Sequence, residues 1–146
     1  MKTKLTLLLV LITASAFAHS NIEIGPNGGR ILEFSKDESM HGEVTVKDGK
    51  FHIGILDKDM KPVKIDKQSL TATGGTREKP EKLAVEKDAT GFTVPVVKEK
   101  QWLILQYKEA PDAKAITARF EYETKPCPEC KKAEWLCACG VPEKKK

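Results

Sequence analysis

Apolar and polar residues alternate one for one through most of the chain between residues 43 and 122, and a period of two admits one class of structure, strands with a single buried face. Val44 and Val46 point one way while Glu43, Thr45 and Lys47 point the other. Asp48-Gly49 then offers the positive-φ dipeptide of a tight hairpin, and the next strand turns Phe51, Ile53 and Ile55 inward. The same code returns at Leu70 and Ala72, at Leu83 and Val85, and at Phe92, Val94 and Val96. It ends with Leu103, Leu105 and Tyr107, and with Ile116, Ala118, Phe120 and Tyr122. These make seven segments, with residues 31–34 a candidate eighth. Turn chemistry separates them at residues 57–62, Gly74-Gly75, 88–91 and Ala110-Pro111-Asp112, and no long amphipathic helical stretch intervenes. The expectation is an all-β fold, an antiparallel immunoglobulin-like β-sandwich of about seven strands.

The two ends carry different information. Lys2 and Lys4 give a positive start, residues 5–12 are apolar except Thr6, and Ala16-Phe17-Ala18 has the small-x-small form of a signal-peptidase site. A cleaved secretory signal over residues 1–18 is therefore expected, since the apolar run falls short of the roughly 20 residues that a permanent span needs. Localisation follows as periplasmic or secreted, with no transmembrane segment after processing. Residues 19–124 then form the β-sandwich domain, and residues 125–146 form a Cys-rich tail with a Lys-rich end. Removing Lys2 and Lys4 lowers the formal charge from +4 to +2, and the remaining 23 basic and 21 acidic residues are interleaved, as in Glu78-Lys79-Pro80-Glu81-Lys82. That pattern describes a solvated surface and gives no support to nucleic-acid binding.

All four cysteines fall within thirteen residues, as Cys127-Pro128-Glu129-Cys130 and, six residues later, Cys137-Ala138-Cys139-Gly140. Two thiol pairs on a short spacer can wrap one soft ion, Zn(II) or Cu(I), in a thiolate cage, with Lys131 and Lys132 offsetting part of its negative charge. An exported protein also meets oxidising conditions, in which the same residues can form disulfides. Joining Cys137 to Cys139 would close a strained ring, so the bridges would be nested (Cys127 to Cys139, Cys130 to Cys137) or crossed (Cys127 to Cys137, Cys130 to Cys139). Redox exchange through Cys127 and Cys130 is a third use, although no βαβ pattern surrounds them. Trp135 and Leu136 lie inside the cluster and are expected to cover it or to pack it onto the sandwich; Trp102 reads as a core-edge residue.

Three histidines complete the inventory of metal-ligating side chains. His52 lies between Phe51 and Ile53, on the face away from the core. His41 follows Met40 in what reads as a loop before a strand, and a Met-His pair suits copper. Cleavage after Ala18 would make His19 the first residue, whose amine and imidazole can chelate Cu(II) together. His19 and His41 are thus candidates for a separate copper site. A terminal histidine resembles the start of periplasmic copper-resistance proteins with immunoglobulin-like folds and of copper-dependent polysaccharide monooxygenases.

Gly25-Pro26-Asn27-Gly28-Gly29-Arg30, running into Ile31-Leu32-Glu33, reads as a glycine turn that feeds a strand. With residues 51–56 and Asp57-Lys58-Asp59-Met60-Lys61-Pro62-Val63, this stretch resembles the small β-domain of periplasmic adaptor subunits of heavy-metal efflux pumps of the RND type. The similarity runs over about residues 25–65. That family's turn often reads Gly-Pro-His-Gly-Gly, and Asn27 stands here in place of the histidine. The resemblance implies a free-standing relative of that β-domain in a cell envelope that handles metals.

Neither a nucleophile served by a histidine nor a pair of cleft carboxylates can be picked out, and no glycine-rich phosphate loop precedes a helix. The chain is therefore expected to bind and not to catalyse. Two functions remain open: a small exported metal-binding protein of the envelope for storage, delivery or resistance, or a disulfide-stapled interaction module that docks to an envelope partner.

Overall fold

A computed structural model describes residues 22–139. The expected signal segment, His19 and the Lys-rich end lie outside the described residues. Nine strands follow in order: β1 (Arg30–Glu33), β2 (Met40–Lys47), β3 (Lys50–Asp57), β4 (Ser69–Gly75), β5 (Pro80–Leu83), β6 (Glu86–Lys87), β7 (Gly91–Pro95), β8 (Gln101–Lys108) and β9 (Ile116–Tyr122). They form two sheets, ordered β1-β2-β3-β7-β6 and β5-β4-β8-β9, in which every pairing is antiparallel. Among the described residues there is no α-helix, only a single 3-10 turn at Glu134–Leu136.

The alternation seen in the sequence reappears as burial. Phe51, Ile53 and Ile55 of β3 and Leu103, Leu105 and Tyr107 of β8 are buried and belong to one core shared by both sheets. Aromatic contacts tie the sheets together across that core. Phe34, just past β1, stacks on Tyr107 with centroids 4.7 Å apart, and Phe51 meets Phe120 of β9 edge-on at 5.8 Å. The β2–β3 hairpin closes through Asp48 and Gly49, whose φ values of 51° and 71° suit the right-handed twist of the paired strands. Asp88 closes another turn by accepting hydrogen bonds from the backbone amides of Thr90 and Gly91.

Gly74-Gly75 does not form the expected turn. Both residues end β4, paired to β5 and β8, and the reversal follows them, with the Lys79 amide donating to the Thr76 carbonyl at 3.3 Å. The Leu83 and Val85 segment likewise splits, because the chain leaves one sheet after Leu83 and joins the other at Glu86. Val46, expected inside, lies near the end of β2 and is 41% exposed.

Tyr107 is buried with no partner for its hydroxyl, and desolvation, helped by Glu109, pushes its pKa up to about 12. Desolvation first, and the charge of Glu99 second, also raise that of Tyr122, the only other tyrosine. A phenol whose folded pKa is raised contributes stability that is whole below its unfolded pKa of about 10 and is lost as pH climbs through the folded value. Alkaline titration followed at the tyrosinate absorbance is therefore expected to leave Tyr107 protonated at pH 10.5, with its later ionisation coinciding with loss of the far-ultraviolet signal of the sheets. A smooth two-tyrosine titration centred on pH 10 in the folded chain would contradict this environment.

A candidate metal centre docked by Trp135

Beyond β9 the chain doubles back on itself. The Glu134 amide donates to the Lys125 carbonyl and the Trp135 amide to the Glu123 carbonyl, at 2.9 and 3.0 Å, while Pro126 and Ala133 form an isolated bridge. At the tip, the Lys131 amide donates to the Cys127 carbonyl and the Cys127 amide to the Lys132 carbonyl. Lys131 takes a φ of 62° to make this reversal, and its ammonium donates to the Pro128 carbonyl at 2.7 Å. The 3-10 turn then throws Cys137 back toward the first pair.

The consequence is convergence of all four sulfurs. Cys127 and Cys139 have Sγ atoms 3.9 Å apart, Cys130 and Cys137 have theirs 3.8 Å apart, and all four lie within 4.8 Å of one another. No disulfide joins them, and Cys127 and Cys137 are buried. Ligands at the zinc–thiolate distance of about 2.3 Å occupy tetrahedron corners about 3.8 Å apart, and the Cys127–Cys139 and Cys130–Cys137 separations match two edges of such a site.

Proton affinities within the cluster are pulled apart. Backbone amides of Cys130 and Glu129 donate to the Cys127 sulfur, and with the Cys137 thiol they lower its pKa to about 7. Cys139 moves the other way, raised by its contacts with the Cys130 and Cys137 thiols and by desolvation. At Cys137 the Cys139 amide favours the thiolate, but desolvation and the neighbouring sulfurs outweigh it and raise the pKa. Four thiolates this close repel one another, so full ionisation needs a cation among them.

Trp135 fixes this loop to the rest of the molecule. Its ring stacks on Phe120 at 5.5 Å, lies 5.5 Å from Tyr122 and meets Phe51 edge-on at 6.1 Å. Arg30 of β1 adds a clamp, with its guanidinium 5.1 Å above Phe120 and Nη1 donating to the Trp135 carbonyl at 3.1 Å. The cysteine segment is therefore seated on the sheets, as its Trp-Leu pair suggested. Trp102 stands half-buried in β8, with Arg119 5.8 Å over its ring.

The histidines lie elsewhere. His41 is not in a loop: it is the second residue of β2, buried, with Nδ1 3.1 Å from the Glu33 carboxylate. Pairing with both β1 and β3 carries the strand further toward its N-terminal end than its apolar pattern showed. His52 is half-buried on the outer face of β3, as the alternation required.

One buried ionisable group escaped the sequence reading. Glu43 lies on the outer face of β2 yet is only 2% exposed, because the Gly25-Pro26-Asn27-Gly28-Gly29 turn folds over it. Its Oε1 accepts from the Asn27 and Gly29 amides at 2.7 and 3.0 Å, and its Oε2 accepts from Asn27 Nδ2 at 2.7 Å. A Cβ at Gly25 would stand 2.6 Å from this carboxylate, and one at Gly29 would stand 2.5 Å from the Val44 carbonyl. The signal was present in outline: a glycine-rich turn before β1, and a carboxylate on the strand that pairs with it.

No protein-family model, curated protein or solved structure matches the chain.

Proposed function

We infer that the chain is a small exported metal-binding protein of the cell envelope, in which Cys127, Cys130, Cys137 and Cys139 hold one Zn(II) or Cu(I) for storage, delivery or resistance. The observation that carries this reading is the convergence of four unbonded sulfurs within 4.8 Å of one another, two of their separations matching the edge of a tetrahedral thiolate site. Its support for binding over catalysis is the shape of the donor set: four protein sulfurs fill a tetrahedron and leave no open position for a substrate, as in structural zinc sites. The scaffold in this reading is an immunoglobulin-like sandwich, related to the β-domain of metal-efflux adaptors. The signal-like start supports export, and His19 would be a second, independent copper ligand in the processed chain.

A disulfide-stapled interaction module is the competing use of the same residues. The two shortest sulfur separations pair Cys127 with Cys139 and Cys130 with Cys137, which is the nested arrangement.

Metal content and thiol state of protein purified from its native compartment separate the two. The expected result is one ion per chain and four thiols that react with a thiol reagent only after chelation. In the Cys130→Ser, Cys137→Ser double variant a bound Zn(II) is expected to be lost, because two remaining thiolates cannot complete its tetrahedron. Intact mass short by four hydrogen atoms with no metal would establish the stapled module instead, and retention of Zn(II) by the double variant would shift the site to the histidines.

A further inference from the structure

A closed tetrahedron of thiolates leaves no free position beside its metal, so a competing ligand has nowhere to attach. Release of the ion then requires that a protein thiolate cease to be a ligand. Oxidation to a disulfide does this, and the sulfurs are placed for it. Each of the two close pairs joins a buried sulfur to a partly exposed one, Cys127 to Cys139 and Cys137 to Cys130. Thiol–disulfide exchange needs an accessible thiolate to attack the reagent and a second thiolate at hand to finish the reaction. Every pair has both. The sulfurs stand 3.9 and 3.8 Å apart, and because a disulfide bond measures about 2.05 Å, each sulfur need travel only about 0.9 Å to close one.

The segment that carries the sulfurs is held by contacts that lie outside them. Backbone hydrogen bonds from Glu134 to Lys125 and from Trp135 to Glu123, with the Pro126–Ala133 bridge, close the hairpin behind the cluster. The Trp135 ring is packed on Phe51, Phe120 and Tyr122, and Arg30 holds its carbonyl. None of these contacts involves the ion or a thiol. Departure of the metal therefore leaves the sulfurs side by side on a seated loop.

We propose that the centre exchanges its ion for two disulfide bonds: a small organic disulfide oxidises it to the nested Cys127–Cys139 and Cys130–Cys137 form and sets the metal free, while the hairpin stays docked. The exchange rests on the reading of the four sulfurs as a metal site. The Cys139 thiolate attacks the reagent RSSR, whose sulfur–sulfur bond breaks, so that one RS⁻ leaves and a mixed disulfide remains on Cys139. The Cys127 thiolate then attacks the Cys139 sulfur and expels the second RS⁻. Cys130 and Cys137 repeat the two steps. Two reagent molecules thus take four electrons from four protein thiolates and become four RS⁻, while zinc departs as Zn(II) with its oxidation state unchanged. A disulfide sulfur carries no charge and does not hold the ion. The metal-loaded and stapled forms are in this way two states of one site.

The test uses the full-length chain, reduced and loaded with Zn(II), then treated with cystamine and passed through gel filtration. Zinc left on the chain is measured by atomic emission, the bonds by tandem mass spectrometry of its peptides, and the seating of Trp135 by tryptophan fluorescence. The expected result is loss of all bound zinc and a mass four hydrogen atoms below that of the reduced, metal-free chain. Cys127 is expected to be joined to Cys139 and Cys130 to Cys137, with the emission maximum unchanged. Dithiothreitol should restore zinc uptake, and cysteamine, the thiol product alone, should leave the ion in place. A reduced chain that takes up no zinc would overturn the metal site and the exchange together. Zinc uptake followed by retention after cystamine, by other pairings, by a red shift of the emission, by no uptake after dithiothreitol, or by equal loss to cysteamine would overturn the exchange and leave the metal site standing.

Discussion

Trp135→Ala is expected to lower the unfolding free energy by about 3–5 kcal/mol, the range for removing a buried aromatic side chain, and to weaken metal retention in the same step. The first effect follows from position. Trp135 is 5% exposed and contacts Phe51, Phe120 and Tyr122, so its loss opens a cavity that residues from both sheets border and cannot readily refill. The second follows from connectivity, because Trp135 lies between the two thiol pairs and anchors the 3-10 turn that delivers Cys137. Without the anchor, the entropy of bringing Cys137 and Cys139 back to Cys127 and Cys130 must be met by the ion alone. Urea unfolding followed by circular dichroism measures the first effect, and competition with a chromophoric chelator measures the second. Trp135→Phe should recover most of the stability, since a phenyl ring still reaches Phe120. A loss below about 1 kcal/mol in the alanine variant, within the range of ordinary surface substitutions, would mean that the cysteine segment is not seated on the core.

Strand content was legible because the alternation is nearly unbroken. Each of the eight apolar segments overlaps a strand, and the Asp48-Gly49 hairpin falls where its backbone preference put it. What alternation cannot carry is which strand lies beside which. The crossing between β5 and β6 shows why: Leu83 and Val85 keep the same period although the chain changes sheets between them, since both sheets face one core and the inward side stays inward. Edge and centre are equally silent, so the Gly74-Gly75 pair read as a turn when it is the end of a strand with partners on both sides. The sulfur cluster was legible as a set of donors, because two close pairs on a six-residue spacer can reach one point. Its attachment was legible only as an option, since a Trp-Leu pair reads alike whether it covers the sulfurs or enters the core. Arg30 could not be connected to it at all, as 105 residues separate that guanidinium from the carbonyl it holds.

Glu43 shows the opposite failure, a residue whose face was read correctly and whose environment was not, and its replacement should have the other large effect. Period two puts Glu43 on the side away from the core, where a carboxylate is ordinarily solvated. A chain segment returning over that face buries it, and burial is tolerable only because three N–H donors converge on its two oxygens. Glu43→Ala leaves the Asn27 and Gly29 amides without their acceptor beneath the turn, at a cost of about 3 kcal/mol from orphaned donors. Glu43→Gln keeps the volume but presents an NH₂ group to donors already in place, so it is expected to lose about 1–3 kcal/mol despite its shape. Amide exchange locates the effect: the Asn27 and Gly29 amides should exchange far faster in both variants, while those of β8 and β9 change only with global stability. A glutamine variant as stable as the parent, with Asn27 and Gly29 still protected, would show that the turn holds itself and that the carboxylate merely occupies the space beneath it.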